Sequence, residues 1–545
     1  SVDRRQFEVC VFSQVALEMK AGDLCIVGSD RFSDYREQLV SWQEYDESIG
    51  PFCEQVGLDV DGSTFVNKLR QLLEERAEAA DQSFPDNKHV HIEDGEAVVK
   101  KPTRGRVPAS TKQLNKLIAD MLPPLDILDV ITDAEKWVNW TRFFGPMSGH
   151  DAKIDDSVAR YVTTAFCYRC GLGPTQTARS LRAFDRRQLA WVNQRHVTEK
   201  GLEEAITELV NTYNRFRLPK LWGSGKRASA DGTKWDLYEQ NLLSEYHIRY
   251  GGYGGIGYYH VSDTYIALFS HFIPCGVWEA VYILDGLMNN ESEIQPDTLH
   301  ADTQGQNLPV FGLSHLLGIK LMPRIRNWKK LKLFRPSRES CYSNIDELFS
   351  DCVDWKLIET HLPDMLRVAL SVKAGRITAS TLLRKLGTYS RKNRLYVAMR
   401  ELGRVVRTAF LLEYLGDIEL RRVIHAATNK SEAFNRFAKW VSFGGDATIR
   451  ENDRDKQRKL IKYNHLVANC LILHNVDSMT KILHRLMDDG HEIDDSALAH
   501  MSPYITEHIN RFGDYELNLA RATAPPEFDL EMETAGTGPL EVAGT

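Results

Sequence analysis

A chain of 545 residues is longer than one hydrophobic core organises, so about three or four folding units are expected. Apolar residues at 43% and charged residues at 26% describe an ordinary globular protein, neither fibrous nor disordered. A net charge of -7 excludes a uniformly basic nucleic-acid binder, so any such contact must come from basic residues gathered locally and offset elsewhere.

The chain opens at Ser1-Val2 without a methionine and enters helical sequence at once, which suggests a fragment or a processed product. Residues 1 to about 80 read mostly as helices, as in Ser63 to Leu73 with its apolar residues at helical spacing. A polar stretch from Asp81 to about Ser110, with Pro85, Pro102 and Pro108 around an Ile92-Glu93-Asp94-Gly95-Glu96 turn, is a linker or a small hairpin. Helical patterning resumes from Thr111 to about Arg217. Cys167 and Cys170 form a lone CxxC in this region and are read as helix residues, because no second pair completes a zinc site. Nine scattered cysteines argue against a disulfide framework and fit a reducing cytosol.

Between Leu218 and Arg326 the texture changes. Glycines cluster at 251, 252, 254, 255 and 257, and the runs Gly257 to Val261 and Thr264 to Phe269 read as a β-hairpin. An apolar helix is expected over about Val277 to Met288, and a short strand ends at Leu299-His300-Ala301-Asp302. A helix from Val310 to Leu317 leads into a strand from Ile319 to Ile325. This order implies a mixed sheet with helices packed on it. From about Lys330 to Ile424 the sequence is helical and rich in charge. The residues from Ala524-Pro525-Pro526 onward are polar and acidic and are expected to be disordered. No apolar run reaches the roughly 18 residues that a membrane span needs.

Three acids stand out, each with a plainer local reading. Asp231 lies among small residues in Ala228-Ser229-Ala230-Asp231-Gly232, where an Asp-Gly turn is the alternative. Asp302 follows a short strand, where open α/β sheets bind ligands, and could equally cap the next helix. Glu432 is placed at zero on a helix from Asn429 to Val441. Arg436 then falls at about 40° and Lys439 at about -20°, while Phe434, Phe437, Ala438 and Val441 gather on the opposite face. A capping box with Asn429 as N-cap explains Glu432 and Arg436 but not Lys439. Taken together, three carboxylates can hold two divalent metals about 3.5–4 Å apart for phosphodiester chemistry.

The segment Trp222-Gly223-Ser224-Gly225-Lys226-Arg227-Ala228-Ser229-Ala230-Asp231-Gly232 resembles the first catalytic block of the Tn-three family of transposases. Tyr282 to Leu287 with His300-Ala301-Asp302-Thr303, Val310 to Leu313 with Met322 to Arg326, and Asn429-Lys430-Ser431-Glu432-Ala433 resemble its later blocks. The separations match, with 71 residues from Asp231 to Asp302 and 130 from Asp302 to Glu432. The resemblance implies a mainly α protein with an embedded α/β RNase H-like domain, a mixed five-stranded sheet interrupted by a helical insertion. It implies that Asp231, Asp302 and Glu432 are the catalytic DDE triad and the metal ligands for two Mg²⁺ ions, with Mn²⁺ as a substitute. Lys439 matches the basic residue that this class places beyond the Glu to hold the transposon end. Family members are about twice this length, and the half that carries much of the terminal-repeat recognition lies outside this sequence.

The expected organisation is as follows: residues 1–110 a helical dimerisation or linker region, 111–217 a helical DNA-contacting domain, 218–336 the first part of the catalytic core, and 337–424 the helical insertion. Residues 425–450 would complete the core, 451–522 form a C-terminal helical scaffold, and 523–545 be a disordered tail. Candidate DNA contacts are Lys439, Arg436, Lys226 and Arg227 near the acids, Arg324, Arg326, Lys329 and Lys330 after the last strand, and Arg391, Lys392 and Arg394 in the insertion. Gly173 to Thr177, followed by Arg179, Arg182, Arg186 and Arg187, opens a further helix able to meet DNA. The expected partners are transposon terminal inverted repeats, target DNA and a second copy in a homodimer, without a membrane, in a bacterial cytoplasm at the nucleoid. The alternatives are another RNase H-like nuclease or integrase, or a non-catalytic DNA-binding remnant.

Overall fold

The computed structural model describes residues 3–21, 24–27, 34–102, 105, 107–149, 154–237, 245–247, 251–275, 279–388, 394–444 and 448–530. The chain forms two compact units, each assembled from three separate stretches. The first holds Ser1–Thr103, Trp278–Met288 and Asp297–Ile424, and the second holds Arg104–Val277, Asn289–Pro296 and His425–Thr545. Compactness therefore divides the chain differently from the contiguous blocks read along the sequence, and the block 218–336 contributes to both units. Helices predominate, with an α/β portion embedded among them. Among the described residues no helix is long and apolar enough to cross a membrane.

In the second unit the helix Arg454–Asp488 forms the core, and from Ile461 to Thr480 nearly every residue is buried. Helices Ile127–Val138, Ser157–Arg169 and Glu199–Asn214 pack around it, as does the strand Ala267–Pro274. Polar groups inside this helix are matched to backbone carbonyls. His465 Nε2 donates to Ala267 O (2.8 Å), Asn469 Nδ2 donates to the same oxygen (2.9 Å), and Lys462 Nζ donates to Ser270 O (2.7 Å). Buried polar groups persist when satisfied in this way.

Three antiparallel strands lie against that core. Arg227–Asp236 pairs with Gly252–Ser262, with Asp231 opposite Tyr259, and Gly252–Ser262 pairs in turn with Ala267–Pro274. The expected hairpin is therefore present, with a register shift between His260 and Val261. Its glycines have a packing cause: a Cβ on Gly257 would sit 2.5 Å from the Trp235 indole nitrogen, so only glycine lets that ring cross the strand.

In the first unit the parallel strands Thr298–Ala301 and Lys320–Pro323 are joined through the helix Leu308–Leu316, as the sequence pattern requires. That helix packs on Arg394–Gly416 backbone to backbone, because Gly312 faces Met399 O and Gly403 faces the Leu308 carbonyl. The polar stretch after Asp81 is a small hairpin, Val90–Glu93 with Glu96–Val99. The charged segment after Lys330 also holds a short parallel pair, Leu333–Arg335 with Phe349–Cys352, ahead of its helices.

Three local expectations are corrected. The apolar helix expected to end at Met288 is broken into a 3-10 turn Glu279–Tyr282 and a helical turn Asp285–Met288. There Asp285 is drawn away to accept from Ser380 N at 3.0 Å, and burial raises its pKa to about 6. Asn429 is no N-cap, because its helix runs unbroken from Ile418 to Val441. The tail is ordered as far as Leu530. Phe528 meets the Phe216 ring edge-on at 4.8 Å, its carbonyl accepts from Arg217 N (2.8 Å), and Trp137 Nε1 donates to Ala524 O (2.9 Å). Apolar contacts and backbone pairing thus outweigh the segment's polar composition; residues 531–545 lie outside the described residues.

Candidate catalytic site

Asp231 lies mid-strand, half-buried, with its backbone paired to the neighbouring strand, so the Asp-Gly turn does not form. Alternation along the strand puts Ser229 and Asp231 on one face, and the helix Ile418–Val441 lies across it. Asn435 Nδ2 donates to Asp231 Oδ2 at 2.9 Å, and the Ser229 and Ser431 hydroxyls stand 3.1 Å apart. Glu432, half-buried, sits between these two helix contacts, one residue after Ser431 and three before Asn435. The helix is seated by Phe434 against Tyr259 (5.2 Å, edge-on), while Asn464 accepts from the Tyr259 hydroxyl (2.8 Å) and donates to Ala438 O (3.0 Å). Strand–helix packing therefore sets the helix turn that carries Glu432 against the strand that carries Asp231.

The block before Asp231 is also held in place. Asp263 accepts from Ser224 N (3.1 Å) and Gly225 N (2.9 Å), tying the loop ahead of the strand to the hairpin turn. A Cβ on Gly223 would collide with the Asp263 side chain. Lys430, two residues before Glu432, donates to Trp222 O (2.9 Å) and Asp263 O (2.7 Å) and lies 4.5 Å from the Tyr265 ring centre. Burial lowers its pKa to about 8, with Asp263 opposing and Arg227 adding to the fall. Burial likewise raises the Asp263 carboxyl, opposed by Lys430. Asn435 and Lys430 were not among the residues singled out from sequence. Lys430 stood inside a quoted block, and Asn435 lies at about -60° on the Glu432 wheel, on the flank facing the strand.

Of the candidate DNA contacts, Lys226 and Arg227 are exposed at the start of the Asp231 strand, and Arg436 and Lys439 are exposed on the Glu432 helix. Partial burial lowers the Lys439 pKa, with Asp236 opposing and Lys234 adding to it, which places its ammonium by the far end of the Asp231 strand. The other candidates belong to the first unit. Asp302 is half-buried at the C-terminal end of its parallel strand, and its carbonyl accepts from Gly305 N (3.0 Å). It directly precedes the 3-10 turn Thr303–Gln306, where that bond puts it at the capping position, while Asn307 caps the following helix Leu308–Leu316, accepting from Val310 N. Arg324 is half-buried, and Arg326, Lys329 and Arg394 are exposed. The Lys330 side chain, and Arg391 and Lys392 entirely, lie outside the described residues.

Asp231 and Glu432 are hard oxygen donors without thiol or imidazole beside them among the contacts above, a set suited to a hard divalent ion. Among the described residues no three His, Cys, Asp or Glu side chains stand together as a metal site. The two cysteines of the CxxC are fully buried, and burial raises both thiols to about 12, opposite to what a metal ligand needs.

Residues 129–515 match the family described as Tn3 transposase DDE domain. The chain is similar to the transposase for transposon Tn3926 of Escherichia coli, 33% identical over 522 residues that make up 94% of this chain and 52% of the relative. It is also similar to the transposase for transposon Tn21 of Escherichia coli (32% over 531 residues; 94% and 52%) and to that for transposon Tn501 of Pseudomonas aeruginosa (31% over 536 residues; 97% and 53%). The chain spans about half the length of these curated relatives.

Proposed function

The chain belongs to the Tn3 transposase DDE-domain family, and from that premise we propose that it cuts DNA at the 3′ ends of a transposon and joins them to target DNA. Asp231, Asp302 and Glu432 act together in this reading, and the strands carrying the two aspartates are parts of an RNase H-like core. The observation that carries it is the packing of the Glu432 helix on the Asp231 strand through Asn435 and Ser431. These contacts set the helix turn that carries Glu432 against the strand that carries Asp231, which supports a shared role for two acids far apart in sequence.

Bound divalent ions, two Mg²⁺ or Mn²⁺ in their place, would supply the charge that activates the attacking oxygen and stabilises the leaving one. The chain's own residues do the rest. Asn435 fixes one oxygen of Asp231, and Lys430 fastens the Glu432 helix to the loop ahead of the Asp231 strand. Arg436 and Lys439, one and two turns beyond Glu432, carry positive charge along the phosphate path, as Lys226 and Arg227 do at the strand's start. Arg324, Arg326, Lys329, Lys330, Arg391, Lys392 and Arg394 serve the same backbone in the first unit's segments. In the first step water adds to phosphorus and the transposon 3′ oxygen leaves. In the second that 3′-OH attacks a target phosphorus, the transposon 3′ oxygen joins the target 5′ phosphate, and the target's own 3′ oxygen leaves as a hydroxyl with the proton released by the attacker, so one phosphodiester replaces another and no covalent enzyme intermediate and no ATP are required. Paired ends imply a homodimer, and the DNA substrates place the reaction at a bacterial nucleoid, in the cytoplasm.

The test is Asp231→Asn. It should abolish divalent-ion-dependent cleavage of a transposon-end duplex while the variant still binds that duplex. Persisting cleavage would overturn the site. A pre-cut end bearing a free 3′-OH separates joining from hydrolysis, since a nuclease yields no joined product.

A further inference from the structure

Three short helices of the second unit, Ser157–Arg169, Gly173–Leu181 and Arg186–Arg195, pack on one another, each touching the other two. Only four residues, Arg182 to Asp185, join the last two. Two packed helices joined by so short a turn are the parts from which a helix-turn-helix unit offers its second helix to a DNA groove. In the helix Arg186–Arg195, Leu189, Val192 and Asn193 are buried against the bundle. At 100° per residue Arg187, Trp191, Gln194 and Arg195 fall within about 100° of one another on the opposite side, and all four are exposed, Trp191 at 41%. The preceding helix repeats the pattern: Thr177 is buried, and Thr175, Gln176 and Arg179 form its exposed stripe.

The charges are placed where stability does not ask for them. Arg186 and Arg187 occupy the first turn of their helix, at the positive end of its dipole, with only the Asp185 cap beside them. Arg182 takes left-handed backbone (φ 53°), where glycine or asparagine is easier. Among the described residues none of Arg179, Arg182, Arg186, Arg187 and Arg195 forms an ion pair. A positive cluster assembled against the helix dipole, with the Asp185 carboxylate as the acid that faces Arg187, in a chain of net charge -7, suits a polyanion.

We propose that this helix pair is a duplex-DNA contact of the second unit, with Arg179, Arg187 and Arg195 on the phosphate backbone and Trp191 packed against it. The inference rests on the transposase reading and gives it a further point of grip. The bundle is bonded to the last turns of the Glu432 helix and the residues beyond. Arg169, fully buried, donates to Ala438 O, Gly444 N donates to Cys170 O (2.7 Å), and Gly171 and Gly444 meet so closely that a Cβ on either would strike the other. Duplex held on this face is therefore fixed relative to Glu432.

The test uses the whole chain carrying Asp231→Asn, so that DNA is bound and not consumed. Affinity for two linear duplexes, one of arbitrary sequence and one ending in the element's terminal repeat, is measured against salt. Arg187→Gln with Arg195→Gln should lower the slope of log affinity on log salt by about 0.9 per lost phosphate contact. Trp191→Ala should weaken binding with the slope kept. A loss on both duplexes assigns the contact to the backbone, and a greater loss on the repeat adds base reading to it. Lys112→Gln with Lys116→Gln removes the same charge from another exposed helix and should leave the slope unchanged. Unchanged melting temperatures show that the fold is kept. The proposal is wrong if the arginine pair leaves the slope as it was, or if the lysine pair lowers it equally. In either case the parent would still bind duplex, and the transposase reading would stand. If the parent binds neither duplex, both readings fall.

Discussion

Asn435 is a small residue with a large assignment. Its amide Nδ2 can only donate, so the bond to Asp231 Oδ2 orients that carboxyl oxygen. Groups that orient a metal-binding carboxylate typically change metal affinity 10–100-fold when removed. Under the proposal that Asp231 is a metal ligand, Asn435→Ala should weaken Mn²⁺ binding, read by titration calorimetry without any DNA, by about that range. Equal affinity in variant and parent would remove Asn435 from the site. Sequence could point to Glu432, because the apolar face opposite it is periodic. It could not point to Asn435, whose significance depends on which flank of the helix meets a strand some 200 residues earlier in the chain. Nor did it reveal that Asn429 is interior. An Asn three residues before a Glu imitates a cap, and only the helical start at Ile418 overrules it.

At the scale of elements, two packing devices make measurable claims. His465 lies inside the helix Arg454–Asp488, with Nε2 donating to Ala267 O and Nδ1 3.0 Å from the Ser270 hydroxyl, a pairing that suits the neutral ring. Burial lowers its pKa to about 3, with the Ala267 bond opposing and Lys462 adding to the fall. Because the folded pKa lies below the unfolded value of about 6.5, this stabilisation is complete above pH 6.5 and is lost as pH falls. Denaturation midpoints should drop below pH 6.5, with a slope from this residue of up to about 1.4 kcal/mol per pH unit. His465→Gln should flatten that slope; an unaltered slope would refute the account. The second device is the close contact of Leu308–Leu316 with Arg394–Gly416. A Cβ at Gly403 would sit 2.5 Å from the Leu308 carbonyl carbon, and Gly403→Val should cost about 1–3 kcal/mol or more in denaturant titrations. A change below about 0.5 kcal/mol would mean the helices can part without penalty. The glycine-and-aromatic hairpin was legible, since alternation and turn residues are local signals. The break before Asp285 was not, and the bond from Ser380 N to the Asp285 carboxylate joins residues far apart in the chain.

For the whole molecule, chain order and spatial order diverge. Each unit is assembled from three stretches, and no local pattern announces which stretches will meet, so compactness and blocks drawn along the sequence divide the chain differently. The ordered residues Ala524 to Leu530 show the same limit. Composition marks them as tail, yet Glu527 N donates to Asp477 (2.8 Å), the Glu527 carboxylate stands 2.9 Å from His484, and Leu530 is 1% exposed. Removing the chain from Ala524 onward should lower the melting temperature. Leu530 alone accounts for about 1.5–3 kcal/mol of apolar burial, and Phe528 adds to it. A truncated chain that melts like the parent would show the docking to be idle.

The helix Arg454–Asp488 is also a ruler. It measures about 52 Å at 1.5 Å per residue, and Lys462, His465 and Asn469 are pegs that fit one set of carbonyls on the strand Ala267–Pro274. Inserting a single residue upstream of the pegs would turn them by about 100° and leave every peg facing the wrong wall. Substitutions can be absorbed along such a helix one at a time, but changes in its length cannot. Descendants of this sequence should therefore vary freely in what the helix is made of and hardly at all in how long it is.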